Sequence, residues 1–257
     1  MHLKWEQKNI EDDLEFILFM QQDNKPDWWS KRLFEAYPSL DYEHAKKLSE
    51  SDRLDYIQNE MKKLAILCSD NIKNSIKMFQ ETWEPVGKKL NRVYSSVFGF
   101  DCKEILNDMV GFVGLDPVCP RDIQQHTFDV FYRFSPEYAV STALHEITHF
   151  VWFYFWQKHF NDDPTEYDSP RLKWVLSEIV VETIIRNSEI NDLIEQPKYI
   201  AYSYFYNMTI NDELIFDTMK KLYLERKDIY DFMKKAYNWI KNNEPELRKK
   251  IAKAESR

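Results

Sequence analysis

Apolar positions recur at helical spacing from Leu3 to about residue 97. Leu14, Ile17 and Leu18 form one stripe, and Leu54, Ile57, Met61, Leu64 and Leu67 form another. The pattern predicts helix throughout this stretch. Pro26 and Pro38 interrupt it, with Asn24 and Ser39 beside them as turn or cap residues. Asp52 to Trp83 reads as one or two long amphipathic helices, closed by the break at Pro85.

Near Phe98 the pattern changes. MVGFVGLDPVCP (109–120) is apolar, contains glycine and is closed by Pro117 and Pro120, which predicts a strand followed by a loop. HTFDVFYRF (126–134) alternates strictly. Thr127, Asp129, Phe131 and Arg133 interleave with Phe128, Val130, Tyr132 and Phe134, so a strand with one buried face is expected. Ser135-Pro136-Glu137 is a helix start, with an N-cap hydroxyl, a proline at the first helical position and an acid at the positive end. A helix should run from Pro136 to about Trp156 or Lys158. NDDPTEYDSP (161–170) reads as an acidic loop. Ser169-Pro170 repeats the cap signature, so a second helix should run from Pro170 to about Asn187. Helices separated by short polar breaks follow, and NNEPELRKKIAKAESR should fray at the C-terminus. The fold class predicted is mainly α with a small β-sheet (α+β). A helical N-terminal region of residues 1–97, either separate or continuous with the rest, precedes a core of residues 98–257.

Composition supports this and narrows the function. The 257 residues suffice for a sizeable core, 44% are hydrophobic, and only four are glycine, which leaves little material for tight hairpins. A net charge of −8 without a basic block disfavours nucleic-acid binding. Three cysteines without close spacing form neither a disulfide framework nor a thiolate metal site, and they suit the reducing cytoplasm. The first residues lack a signal-peptide core, and the most apolar run, FVWFYFW (150–156), is too short to span a bilayer. No membrane association is expected, and oligomeric state is not legible.

The chemistry sits in LHEITHF (144–150). His145 and His149 are four apart on a helix, on one face, and can point both imidazoles at one ion. Glu146 lies one residue round, placed to reach a bound water and take its proton. With six histidines in the chain, a chance H-E-x-x-H is roughly a one-in-a-hundred event. A catalytic zinc site needs a third protein ligand. One known spacing would put a histidine at Phe155 after a glycine at Trp152, and neither is present. His159 reads as a helix-end residue. WVLSEIVVETII (174–185) offers Glu178 and Glu182, four apart within an apolar run, the first 29 residues after His149. Buried carboxylates are costly unless paired, and a metal for one with an imidazole N–H for the other satisfies both.

HEITH (145–149) followed by WVLSEIVVE (174–182) resembles the gluzincin metallopeptidases, the thermolysin-like and aminopeptidase-type enzymes. The likeness covers about residues 126–187. It implies a zincin-like core with a zinc-bearing helix and a following Glu-bearing helix. It implies Zn2+ held by His145, His149 and Glu178, with Glu146 as general base. Glu182 would be the carboxylate that orients a ligand histidine. The chain departs from the family at Glu182, where Asp is frequent, and at Ser177, where Asn is frequent. The resemblance also implies that the strand HTFDVFYRF edges the cleft and offers an extended peptide a pairing edge. An oxyanion stabiliser is expected beside the metal. YIAYSYFYN (199–207) offers Tyr199, Tyr202, Tyr204 and Tyr206, of which Tyr202 and Tyr206 share a helical face, and His126 is a further candidate. The function expected is zinc-dependent hydrolysis of peptide or protein substrates. The alternative is a non-catalytic helical regulatory or interaction protein with a structural or vestigial metal site.

Overall fold

The structure, a computed structural model, describes residues 3–255. The chain is mainly helical with a small sheet. Its order is β1 (Leu3–Gln7), α1 (Ile10–Met20), α2 (Asp27–Ala36), the short α3 (Tyr42–Ala45), α4 (Glu50–Phe98), β2 (Met109–Gly114), β3 (Arg121–Asp122), β4 (Thr127–Phe131), α5 (Pro136–Phe160), α6 (Leu172–Arg186), β5 (Thr209–Ile210), β6 (Glu213–Leu214), α7 (Ile215–Leu224), α8 (Ile229–Asn242) and α9 (Glu244–Glu255). Single 3-10 turns cover Pro164–Tyr167, Glu189–Asp192 and Ser203–Asn207. None of the described helices is long and apolar enough to cross a membrane.

Contacts divide the chain into two compact units. One comprises Leu3–Thr82 and Met109–Ala139; the other comprises Trp83–Asp108 and the described residues from Val140 onward. The sequence boundary between residues 97 and 98 falls inside the second unit.

The first unit contains the sheet, in the order β1-β2-β4-β3. β1 and β4 run parallel to β2, and β3 runs antiparallel to β4. β1 corrects the expectation of helix from residue 3. Leu3 and Trp5 are buried while Lys4 is exposed, a period-two signal too short to stand out before the helical stripe of α1. Trp5 packs edge-on against Phe79 and Phe128, with ring centroids 5.5 and 6.0 Å away. Gly111 faces the same ring, and a Cβ there would lie 2.9 Å from it, so only glycine permits this approach. β4 is buried nearly throughout rather than on one face, because Asp129, on the face expected to be polar, is ion-paired with Lys8.

Behind the sheet, Asp13 accepts hydrogen bonds from the Leu115 and Asp116 amides at 2.6 and 3.2 Å. Asp116 is itself buried, with a carboxyl pKa pushed up to about 8, first by burial and then by the charges of Asp13 and Asp129. A raised folded-state value means stability is fully present near pH 4 and is lost as pH rises through about 8. Asp116→Asn is therefore expected to outlast the unaltered protein in urea by a margin that widens from pH 5 to pH 9. A margin independent of pH would show that Asp116 does not titrate in this range.

Two further departures have local causes. α4 continues through Pro85. Proline removes one helix hydrogen bond, but buried Phe79, Trp83, Val86, Leu90, Val93 and Val97 continue the apolar stripe across it. The C-terminal segment, expected to fray, is helical from Glu244 to Glu255, with Pro245 in the first turn of α9 and Leu247 wholly buried.

The second unit is built around α5 from Val140 onward, a helix buried on all sides over most of its length. Trp152 meets Phe232 of α8 at 5.8 Å, and Trp156 meets Tyr237 at 5.5 Å. α6 packs on α7 and α8. α5 begins where expected, with the Ser135 hydroxyl accepting from the Tyr138 amide at 3.2 Å. α6 begins at Leu172 with Arg171 as its N-cap, while Ser169-Pro170, expected to cap it, forms a cis peptide in the preceding turn. β5 and β6 are a hairpin whose turn residues Asn211 and Asp212 both have positive φ, the geometry that matches the strand twist.

Candidate metal centre

Helical spacing alone places His145 and His149 on one face of α5, one turn apart. Their Nε2 atoms lie 3.0 Å from each other. Glu178 reaches both from α6, with Oε2 at 3.6 Å from His145 Nε2 and Oε1 at 3.6 Å from His149 Nε2. Glu146 Oε1 is 3.9 Å from His145 Nε2. His145, Glu146 and His149 offer ligand atoms all within 4.8 Å of one another, a grouping able to hold a metal ion. All four side chains are buried, His149 completely.

The donor set fits a divalent ion. Ligand atoms about 2.0–2.1 Å from a tetrahedral zinc stand roughly 3.3 Å apart, and the 3.0 and 3.6 Å separations straddle that value. Two imidazoles and a carboxylate on an otherwise apolar face suit a borderline cation of this kind. Phe153, the next residue along the His149 face, lies nearly parallel to that imidazole at 6.3 Å and walls the site on its apolar side.

The motif helix is braced from α4. The Tyr94 hydroxyl lies 2.7 Å from Thr148 Oγ1 and donates to the Leu144 carbonyl at 3.0 Å. Thr148 also donates to that carbonyl, at 2.6 Å. Tyr94 is fully buried, and burial raises its pKa, so it stays a donor at any working pH. Tyr94→Phe should cost about 1 kcal/mol of stability, the usual net worth of one hydrogen bond, measurable by urea unfolding. No loss would show that the bond does not steady α5.

Glu182 lies one turn beyond Glu178. Its Oε1 accepts from Arg186 Nε at 3.1 Å. Arg186 also donates to the carbonyls of Pro197 and Lys198, tying the following loop to α6. The Tyr206 hydroxyl accepts from the amides of Ile200 and Ala201 at 2.8 and 3.3 Å. Burial, and then the Glu182 carboxylate beside it, push the Tyr206 phenol up to about 12. Glu182 thus stands beside Arg186 and Tyr206, with its second carboxylate oxygen, Oε2, buried.

The other candidates are placed as follows. Tyr202 stands between Trp174, at 6.0 Å, and Tyr204, against which it stacks at 5.5 Å. The Tyr204 phenol is raised by burial and by the charges of Glu255 and Glu178. Helical spacing would put Tyr202 and Tyr206 on one face and Tyr204 off it. The segment is a 3-10 turn, in which that periodicity does not apply. His126 belongs to the sheet unit and sits at φ +55° just before β4, its pKa lowered by burial. β4 lies between β2 and β3, so Thr127 and Phe128 have no free edge for an added strand. His159 is exposed in the last turn of α5 and stacks on Tyr230 at 3.9 Å. Arg186 and Tyr94 were not singled out from sequence. The four-residue step from Glu182 to Arg186 carried a signal for the first, whereas nothing local marks Tyr94. Comparisons with protein-family models, with curated proteins and with solved structures return no match to this chain.

Proposed function

We propose that this chain is a zinc-dependent peptidase of gluzincin type, with a zincin-like core formed around α5 and α6. The observation that carries the reading is the convergence of His145, His149 and Glu178 at 3.0–3.6 Å on a buried face, with Glu146 beside them. When bound, a zinc ion supplies Lewis acidity toward a carbonyl and brings the pKa of a water toward 7. His145 and His149 would hold the ion through their imidazoles, and Glu178 would hold it through its carboxylate. Glu146 accepts the water proton at a carboxylate oxygen and returns it to the leaving amine, the ordinary work of a general base. Among the tyrosines, Tyr204 is better disposed than Tyr206 to steady the carbonyl oxygen. The Tyr206 oxygen already takes two backbone N–H bonds, while Tyr204 lies within the influence of Glu178.

Glu146 also weighs against the non-catalytic alternative, since a purely structural ion has no use for an extra carboxylate beside its ligands. The test is hydrolysis of fluorescently labelled casein by the zinc-loaded chain. Turnover abolished by 1,10-phenanthroline and restored by added zinc is the expected result. Absence of turnover across a broad peptide panel, by a chain that does hold zinc, would favour the regulatory protein instead.

A further inference from the structure

We propose that two copies of this chain pair through the outer face of α4, antiparallel, about a two-fold axis that passes between Ile66 and Leu67. Ile66 and Leu67 are 80% and 76% exposed, more than any other large apolar side chain among the described residues. Both belong to the part of α4 that lies within the sheet unit. The opposite face of that stretch packs inward through Ile57, Met61, Cys68, Ile72 and Phe79, which are buried. Ile66 and Leu67 are therefore not part of that core. They stand between exposed polar residues, Lys62 and Lys63 on one side and Asp70, Asn71 and Lys73 on the other. An apolar spot rimmed by polar side chains is the usual make-up of an association surface.

Charge identifies the occupant as a second copy. Lys63 and Asp70 are seven residues apart, which is two helical turns, so they stand in line along α4. Ile66 flanks that line on one side and Leu67 on the other. Lys63 precedes the point between Ile66 and Leu67 by as much as Asp70 follows it. An antiparallel copy centred on that point sets Lys63 against the partner's Asp70, and Asp70 against the partner's Lys63. Ile66 and Leu67 meet their own counterparts at the axis, as a two-fold interface requires. The charge pattern extends outward. Within each helix Lys63 Nζ lies 2.6 Å from Glu60 Oε1, and Lys73 Nζ lies 3.3 Å from Asp70 Oδ1. Across the pair the groups then run Glu60, Lys63, the partner's Asp70 and the partner's Lys73, alternating in sign throughout. A parallel pair would instead set lysine on lysine and aspartate on aspartate. A face made for an unrelated partner has no reason to complement itself in this way. The paired stretch from Asn59 to Asn74 is about 24 Å long at 1.5 Å per residue, a small contact, so the dimer should be weak, with a Kd on the order of 10–100 µM.

The test is sedimentation equilibrium of the full chain from about 1 to about 500 µM, a range that brackets this Kd. A reversible monomer–dimer equilibrium is expected. Ile66→Gln together with Leu67→Gln should weaken it about tenfold or more, since the apolar contact at the axis is lost. Lys63→Glu alone and Asp70→Lys alone should each weaken it roughly three- to tenfold, because each sets like charges across the axis twice. Combined in one chain, the two reversals should restore it, because the pairing is then only inverted. All four positions are exposed, the Lys63 and Asp70 side chains at 66% and 93%, so the variants should keep the fold, which circular dichroism checks. A monomer at every concentration would overturn the proposal and leave this face to a partner of another kind. A dimer indifferent to the apolar double variant would overturn it by placing the interface elsewhere. A doubly reversed chain no better than the single variants would overturn the antiparallel pairing.

Discussion

Glu178→Ala is expected to bind zinc more than ~100-fold more weakly than the unaltered chain. Loss of a supporting residue around a metal typically costs 10–100-fold, and loss of a ligand should exceed that. The geometry gives the reason. Glu178, on a different helix, brings one carboxylate oxygen to 3.6 Å from each imidazole. Without it, two ligands one turn apart on a single helix remain, too few to outcompete water for the ion. Glu182→Ala is the matched control. Its bond is to Arg186, so zinc should be largely retained while the loop at residues 197–198 loosens. Competition with a chelator of known affinity, run on both variants, separates the two glutamates. Retention of zinc by Glu178→Ala and its loss by Glu182→Ala would invert the assignment.

Glu146→Gln should leave zinc in place and lower the hydrolysis rate by about 10²–10⁴-fold, the usual contribution of one positioned base. The amide has nearly the same size and cannot take the proton. Because Glu146 stands 3.9 Å from His145 Nε2, further than the oxygens of Glu178, it is disposed to serve beside the ion rather than to hold it. The loss should fall on kcat, with KM little changed, because the group is used only as the bond breaks. Equal loss of zinc and activity would instead make Glu146 a ligand.

Much of this centre was legible because helical periodicity is local. The spacing of His145, Glu146 and His149 fixes their common face without any knowledge of the fold. The apolar run around Glu178 marks it as a carboxylate that needs a partner. The long-range half was harder to read. That Glu178 meets both imidazoles depends on how α6 is placed, and that Tyr94 bonds Thr148 across 54 residues leaves no trace in either segment. A buried carboxylate needs a partner, and for Glu182 Oε1 the same helix supplies one in Arg186, one turn away. The early strand escaped notice because four alternating residues next to a strong helical stripe carry little weight. The parallel pairing of β1 with β2 is set by residues more than a hundred positions apart. Pro85 misled for the opposite reason: a local rule for ending helices was overridden by burial on both sides of it.

The central claim is that one ion is held by His145, His149 and Glu178. Crystals grown with zinc, measured above and below the zinc absorption edge, test it most directly. The account predicts one strong anomalous peak per chain, about 2.0–2.2 Å from His145 Nε2, His149 Nε2 and a Glu178 oxygen. A peak elsewhere, or no peak between the two imidazoles at saturating zinc, would contradict it and remove the basis for the peptidase reading.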